Sequence, residues 1–165
     1  MSNPTKSYHG STVYKPKWNT PYDVKNFISE LTRGETLNVC SGRSPLGDVK
    51  VDVDGDLTPD VRADLHNLPF ADCSFSTVYV DPPFAKYDYP NGYWPREVWR
   101  VTDRRLILES PGKRVTLPHS TKQWYILEPN PGSSQQAVRH IQVFDRQATR
   151  LSDFTPHPHA GEGSQ

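Results

Sequence analysis

Cysteine, long apolar runs and net charge are what this chain of 165 residues has least of. Cys40 and Cys73 are too few to frame a disulfide scaffold, so a reduced, cytoplasmic setting is the simpler expectation. No apolar run approaches the length of a bilayer span and the polar N-terminus lacks a signal-peptide pattern, so no membrane is expected. Lys plus Arg equals Asp plus Glu at 19 each, which leaves no global field to gather nucleic acid; an anionic partner would need a local patch. Apolar residues make up 34% and prolines number 16, against a large helical core and in favour of many short connections. There is no internal repeat. His157 and His159 are the nearest approach to a metal pair, and two histidines in a polar tail make no site, so no metal is expected.

What is present reads as one α/β domain over 13–151, with polar tails at 1–12 and 152–165. Thr20-Pro21 caps a helix whose apolar face is Val24, Phe27, Ile28 and Leu31, and Gly34 follows its end. Strands are expected at 36–40, 49–53, 61–64, 77–81 and 105–109, with a closing pair at 124–127 and 138–144, and a second helix at 95–101. Strands alternating with helices predict a mostly parallel sheet, whose ligands collect beyond the carboxyl ends of its strands. Ser41-Gly42, Asp52 and Asp54, Asp64, Asp81 and Glu109-Ser110 all stand at such ends.

The densest signal is Ser76 to Phe84, a buried strand delivering Asp81-Pro82-Pro83-Phe84 to one edge of the sheet. Two prolines remove two backbone donors and end the strand, leaving its last carbonyls free to accept. Asp81 and the Pro82 carbonyl can take the two hydrogens of a planar amino group while Phe84 stacks on its ring. Tyr87, Tyr89, Tyr93 and Trp94 follow, dense enough to line a pocket or form a lid; packing over the sheet is the alternative. Lys15, Lys17, Lys113 and Arg114 could touch phosphates or simply be solvated.

Three motifs in order resemble the amino-methylating branch of the class I S-adenosylmethionine-dependent methyltransferases. Trp18-Asn19-Thr20-Pro21 is similar to the family's W-x-T-P segment, Leu37 to Gly47 to its first strand and Gly-rich turn, and Asp81-Pro82-Pro83-Phe84 to its D-P-P-[YFW] motif. The passages Asp64 to Phe75 and Glu97-Val98-Trp99-Arg100-Val101 resemble family segments too, so the likeness spans Trp18 to about Ser110. The chain departs from the pattern at Asn38, where an acid is usual, and at Ser44, where a glycine is usual.

The resemblance implies a Rossmann-like methyltransferase sheet, mostly parallel with a closing antiparallel strand pair. The helices around its second and third strands are expected to be reduced, because the links there are too short for a crossover helix. That leaves a thin face, to be covered by a second copy, a partner subunit or the N-terminal segment. The implied cofactor is S-adenosyl-L-methionine, with Trp18, Thr20 and Pro21 over its methionine end, Cys40, Ser41 and Gly42 cradling it, and Asp52 (Asp54 as runner-up) on the ribose. Asp64 and Leu65 would meet its adenine, with capping a turn the other role for Asp64, and Asp81 would lie beside its methyl. Cys40 is read as a packed small residue. Asp81, Pro82, Pro83 and Phe84 are the expected catalytic residues and Phe84, Tyr87, Tyr89 and Tyr93 the substrate-binding ones. The implied reaction is N-methylation of a nucleobase, adenine N6 in DNA ahead of cytosine N4 or RNA. A side-chain amide methyltransferase and a catalytically silent cofactor-binding subunit are the alternatives.

Overall fold

The computed structural model describes residues 5–9, 22–83, 94–110, 114–128 and 139–147. In chain order the elements are β1 (Thr5–His9), α1 (Tyr22–Leu31), β2 (Thr36–Val39), β3 (Val49–Asp52), β4 (Val61–Arg62), β5 (Phe75–Val80), α2 (Trp94–Val101), β6 (Thr102–Ser110), β7 (Ser120–Glu128) and β8 (Arg139–Arg146). They form one eight-stranded sheet in the order β1-β7-β8-β6-β5-β2-β3-β4. Only β8 runs against its neighbours, pairing antiparallel with both β6 and β7. The stretch β4-β3-β2-β5-β6 follows a doubly wound order, with the switch point between β2 and β5. The expected Rossmann-like sheet is thus what forms.

Among the described residues one helix covers each face. Val24, Phe27 and Ile28 of α1 bury against Tyr79, Ile107, Tyr125, Leu127, Ile141 and Val143, with Phe27 meeting the Tyr125 ring edge-on at 5.2 Å. On the other face, Trp94, Val98, Trp99 and Val101 of α2 pack on Leu37, Val39, Val78, Val80, Leu106, Leu108 and Phe144. Helical spacing in α1 and alternation in the strands place these residues, and β5, covered on both sides, is buried nearly throughout. Beyond the end of α1 at Leu31, Gly34, at φ +62°, turns the chain into β2, and Arg33 N–H donates to Thr77 Oγ1 at 2.8 Å, seating the turn on β5.

The passage 64–75 and α2 form one structural lock. Arg100 donates to the carbonyls of Phe70 (2.8 Å) and Leu68 (3.1 Å) and pairs with Glu97 and Asp72, while Glu97 accepts the Leu68 N–H at 2.8 Å. Trp94, expected in a pocket or lid, is instead fully buried in the core at the start of α2.

One expectation is corrected and another gains detail. Thr5–His9, inside the stretch read as a tail, form β1, a parallel edge strand on β7; polar composition hid it because an edge strand needs backbone partners more than an apolar face. The thin side of the sheet exists, since no helix joins β2 to β3 and only a 3-10 turn at Gly55–Leu57 lies between β3 and β4, but it is polar. Val51 alone of β3 is buried, Lys50 pairs with Asp60, and among the described residues Val53 is the one large apolar side chain exposed. The tail expected at 152–165 lies outside the described residues.

The β2–β3 link, Cys40 to Asp48, is held flat along β2. Asp48 N–H donates to Thr36 O at 2.8 Å and its carboxylate accepts Thr36 N–H at 2.8 Å. Gly47 closes the link at φ +83°, where an added Cβ would stand 3.0 Å from Thr36 O and 3.1 Å from Asn38 Cβ. Gly47→Ala is therefore expected to lower stability by about 1–3 kcal/mol, readable in the midpoint of denaturant unfolding.

Candidate functional site

The switch point sets two strand ends side by side: Val39 of β2 is in register with Val80 of β5, so the turn Cys40-Ser41-Gly42 adjoins Asp81-Pro82-Pro83. This turn is tight. Cys40 (φ +57°) and Gly42 (φ +54°) both adopt left-handed backbone, Ser41 N–H bonds Val51 O at 3.0 Å, and Ser44 N–H closes on Ser41 O at 2.9 Å. Ser41 is buried, and its Oγ has no hydrogen-bond partner among the described residues.

The two departures from the family pattern secure this turn. Asn38 is buried and its Nδ2 donates to Leu46 O at 3.1 Å, a bond that an acid could not donate. Ser44, also buried, takes Leu46 N–H on its Oγ at 3.3 Å. Leu46 is thus held at both ends of its peptide, and its side chain joins the α1 core.

Asp52 closes the turn from β3: its Oδ2 accepts Gly42 N–H at 2.9 Å and its Oδ1 accepts Asp54 N–H at 3.0 Å. Each oxygen retains a lone pair for a further donor. Asp54 caps the 3-10 turn through Asp56 N–H at 3.0 Å. Asp64 Oδ1 accepts His66 N–H at 2.8 Å, with His66 Nδ1 at 2.7 Å from the same oxygen. Leu65 is buried in the α2-side core.

Asp81 stands one residue beyond β5, with Pro82 buried and Pro83 half-buried behind it. Among the described residues no donor lies within hydrogen-bond distance of its carboxylate; the nearest cation is Arg139 Nη1 at 3.8 Å from Oδ2. Two neighbours went unsingled in the sequence, and a third was noted only as an acid at a strand end. Tyr79 lies two residues before Asp81 and so on the same sheet face, and its hydroxyl donates to Glu109 Oε2 at 3.0 Å. Arg139, at the start of β8, pairs with Glu109 Oε1. Burial first, and then the negative charge of Glu109, push the Asp81 carboxyl well above the usual carboxylate range, while Arg139 pulls it back. Glu109 is likewise raised by burial, opposed by Arg139 and by the Tyr79 hydroxyl. The clue to this cluster was a tyrosine between two valines at the end of one strand, with an acid at the end of the next one.

Trp18, Thr20, Pro21, Phe84, Tyr87, Tyr89 and Tyr93 lie outside the described residues, as do Lys15, Lys17 and Lys113. Arg114 lies 5.6 Å from the Trp124 ring centroid, with Lys122 at 4.9 Å. Cys40 is half-buried and Cys73 exposed, and no helix among the described residues is long and apolar enough to cross a membrane.

The chain matches no protein-family model, and no curated protein matches it. Among solved structures it is similar to a candidate S-adenosyl-L-methionine-dependent methyltransferase from Methanococcus maripaludis, at 15% identity and a TM-score of 0.44 over 52% of this chain. The chain spans about half, 52%, of that protein's length. It is also similar to a protein from Pyrococcus horikoshii, at 12% identity and a TM-score of 0.47 over 75% of this chain and 88% of the other.

The grip of Asp52 on the turn has a local readout. In Asp52→Ala, amide exchange at Gly42 and Asp54 is expected to accelerate tenfold or more, while amides paired between β6 and β8 keep their rates; both are followed by hydrogen-exchange NMR.

Proposed function

We propose that this chain is an S-adenosyl-L-methionine-dependent N-methyltransferase that methylates the exocyclic amino group of a nucleobase, adenine N6 in DNA first, cytosine N4 or RNA next. The observation that carries this reading is Asp81, a carboxylate at the switch point of a doubly wound sheet, followed by two prolines and engaged by no donor among the described residues. An acceptor left open at that place suits an incoming N–H donor.

The residues present fit the cofactor. The buried, unpartnered Ser41 Oγ offers a hydrogen bond at the turn, and the lone pairs left on Asp52 suit a ribose diol. Cys40, Ser41, Gly42 and Asp52 would hold it, with Trp18, Thr20, Pro21, Asp64 and Leu65 as the further contacts that the resemblance implies. When bound, the cofactor supplies a methyl group on a sulfonium whose leaving group departs as a neutral thioether.

The protein's task is then chiefly alignment. The lone pair of a nucleobase amino nitrogen is delocalised into its ring, so the nitrogen is a poor nucleophile until its hydrogens are drawn into fixed positions. Asp81 accepts one of them and the Pro82 carbonyl the other, which turns electron density on nitrogen toward the methyl; Phe84 stacks on the ring. A duplex must first extrude its base at a cost of a few kcal/mol, which single strands largely avoid.

Two measurements test this. Calorimetric titration with S-adenosylmethionine is expected to give binding that Asp81→Ala leaves within about threefold. Transfer of labelled methyl to DNA, RNA and protein extracts is expected to mark nucleic acid, and to fall by roughly a hundredfold or more in Asp81→Ala. Full activity in that variant removes Asp81 from the mechanism. Label in protein alone moves the reading to a side-chain amide, and tight cofactor binding with no transfer anywhere leaves a non-catalytic binding module.

A further inference from the structure

We infer that Glu109, Arg139 and Tyr79 form a positioning device for Asp81, in which Tyr79 anchors Glu109, Glu109 anchors Arg139, and the Arg139 guanidinium fixes the Asp81 carboxylate as an open hydrogen-bond acceptor. The inference rests on the reading of Asp81 as the acceptor of the target amino group.

Sheet geometry brings the four together. Tyr79 and Asp81 alternate onto the α1 face of β5, and Ile107, beside Tyr79 in the register, shares that face with Glu109 two residues on. Glu109 is in register with Ile141 of β8, two residues after Arg139, so the guanidinium enters from the next strand over. Three adjacent strands, β5, β6 and β8, thereby each bring polar side chains to the same end of one sheet face. Glu109 is spent: its side chain is 4% exposed, with the Tyr79 hydroxyl on one oxygen and Arg139 on the other. Asp81, with a side chain 30% exposed, has the same guanidinium nearby at 3.8 Å but outside hydrogen-bond distance.

Other ion pairs in the molecule differ in kind. Arg105 and Asp145 make a two-bond, one-to-one pair across β6 and β8, and the second acid on Arg100, Asp72, is 76% exposed. Among the described residues, only here do two acids that are both less than a third exposed stand within 4 Å of one cation without each holding its own hydrogen bond to it. Desolvating a charge without pairing it costs several kcal/mol, so a stabilising role alone would call for one acid per guanidinium. The surplus acid is the residue at the strand end. Arg139 offsets its charge without occupying its lone pairs, which leaves them for an external donor.

Among the described residues the charged groups acting on Asp81 are Glu109 from β6 and Arg139 from β8, and the charge of Asp81 in turn raises the Tyr79 hydroxyl on its own strand. Their effects on the carboxyl have opposite signs, and that separates positioning from packing. Arg139 lowers the Asp81 midpoint, so Arg139→Met is expected to raise it by about one unit or more; Glu109 raises it, so Glu109→Gln is expected to lower it by a similar amount. Arg139→Lys, which keeps the charge, is expected to stay close to the parent.

The test is a carbon-13 NMR titration of the Asp81 carboxyl, assigned by its disappearance in Asp81→Asn. Should Arg139→Met fail to fold, Glu109→Gln and Arg139→Lys carry the test by themselves. Midpoints that move apart support the device; midpoints that move together, or that stay within about 0.3 units of the parent in every variant, overturn it. The acid limb of methyl transfer is expected to follow the same order, higher in Arg139→Met and lower in Glu109→Gln, because the ionised carboxylate is the working form. The effect should appear in kcat with cofactor affinity little changed. Carboxyl shifts of opposite sign without methyl transfer in any extract would uphold the device and count against the functional reading.

Discussion

Parallel neighbours must be joined by a chain that returns the full length of the strand, and between β2 and β3 only Cys40 to Asp48 are available to do it. No helix fits in that interval. The return is made instead by a flat link tied to β2 through Asp48, held at Leu46 by Asn38 and Ser44, and finished by a glycine where a side chain would strike Thr36. Asn38 and Ser44, which look like losses when set against the family pattern, are what a shortened link requires: one donor and one acceptor for a peptide that no helix satisfies. The same shortening leaves one side of β3 open to water, and Lys50 and Asp52 keep that side polar.

Pinning the link also fixes the strand end beside Asp81. β2 and β5 are paired in the middle of the sheet, buried on both faces, and neither can shift without breaking register with its other neighbour. The rigidity of this pair is what allows a loosely engaged carboxylate to keep a defined direction. On the other side the Glu109 pair with Arg139 does the same from β6 and β8, so Asp81 is bracketed by strands rather than by its own hydrogen bonds.

Most of the scaffold could be read from residue patterns. Alternation and helical spacing located both helices and every strand from β2 onward to within a few residues, since burial of apolar faces dominates their stability. β1 escaped because Thr5–His9 carries little apolar signal and owes its place to backbone pairing with β7. The site was only half legible. Motif residues such as Asp52 and Asp81 stood out by type and spacing, whereas the partnership of Tyr79, Glu109 and Arg139 joins three strands far apart in the chain and depends on register, which no local pattern encodes. Trp94 misled because an aromatic cluster in sequence was read as one group, while the fold assigns this ring to the core under α2.

The far margin of the sheet closes with β4, only Val61–Arg62 long. Its outer backbone offers a neighbouring molecule too few amides to template another strand, and Asp60 and Arg62 put charge where such an addition would have to begin. Brevity there, imposed by the same economy of connections, makes this margin of a sheet without its usual helical cover a poor template for edge-to-edge pairing.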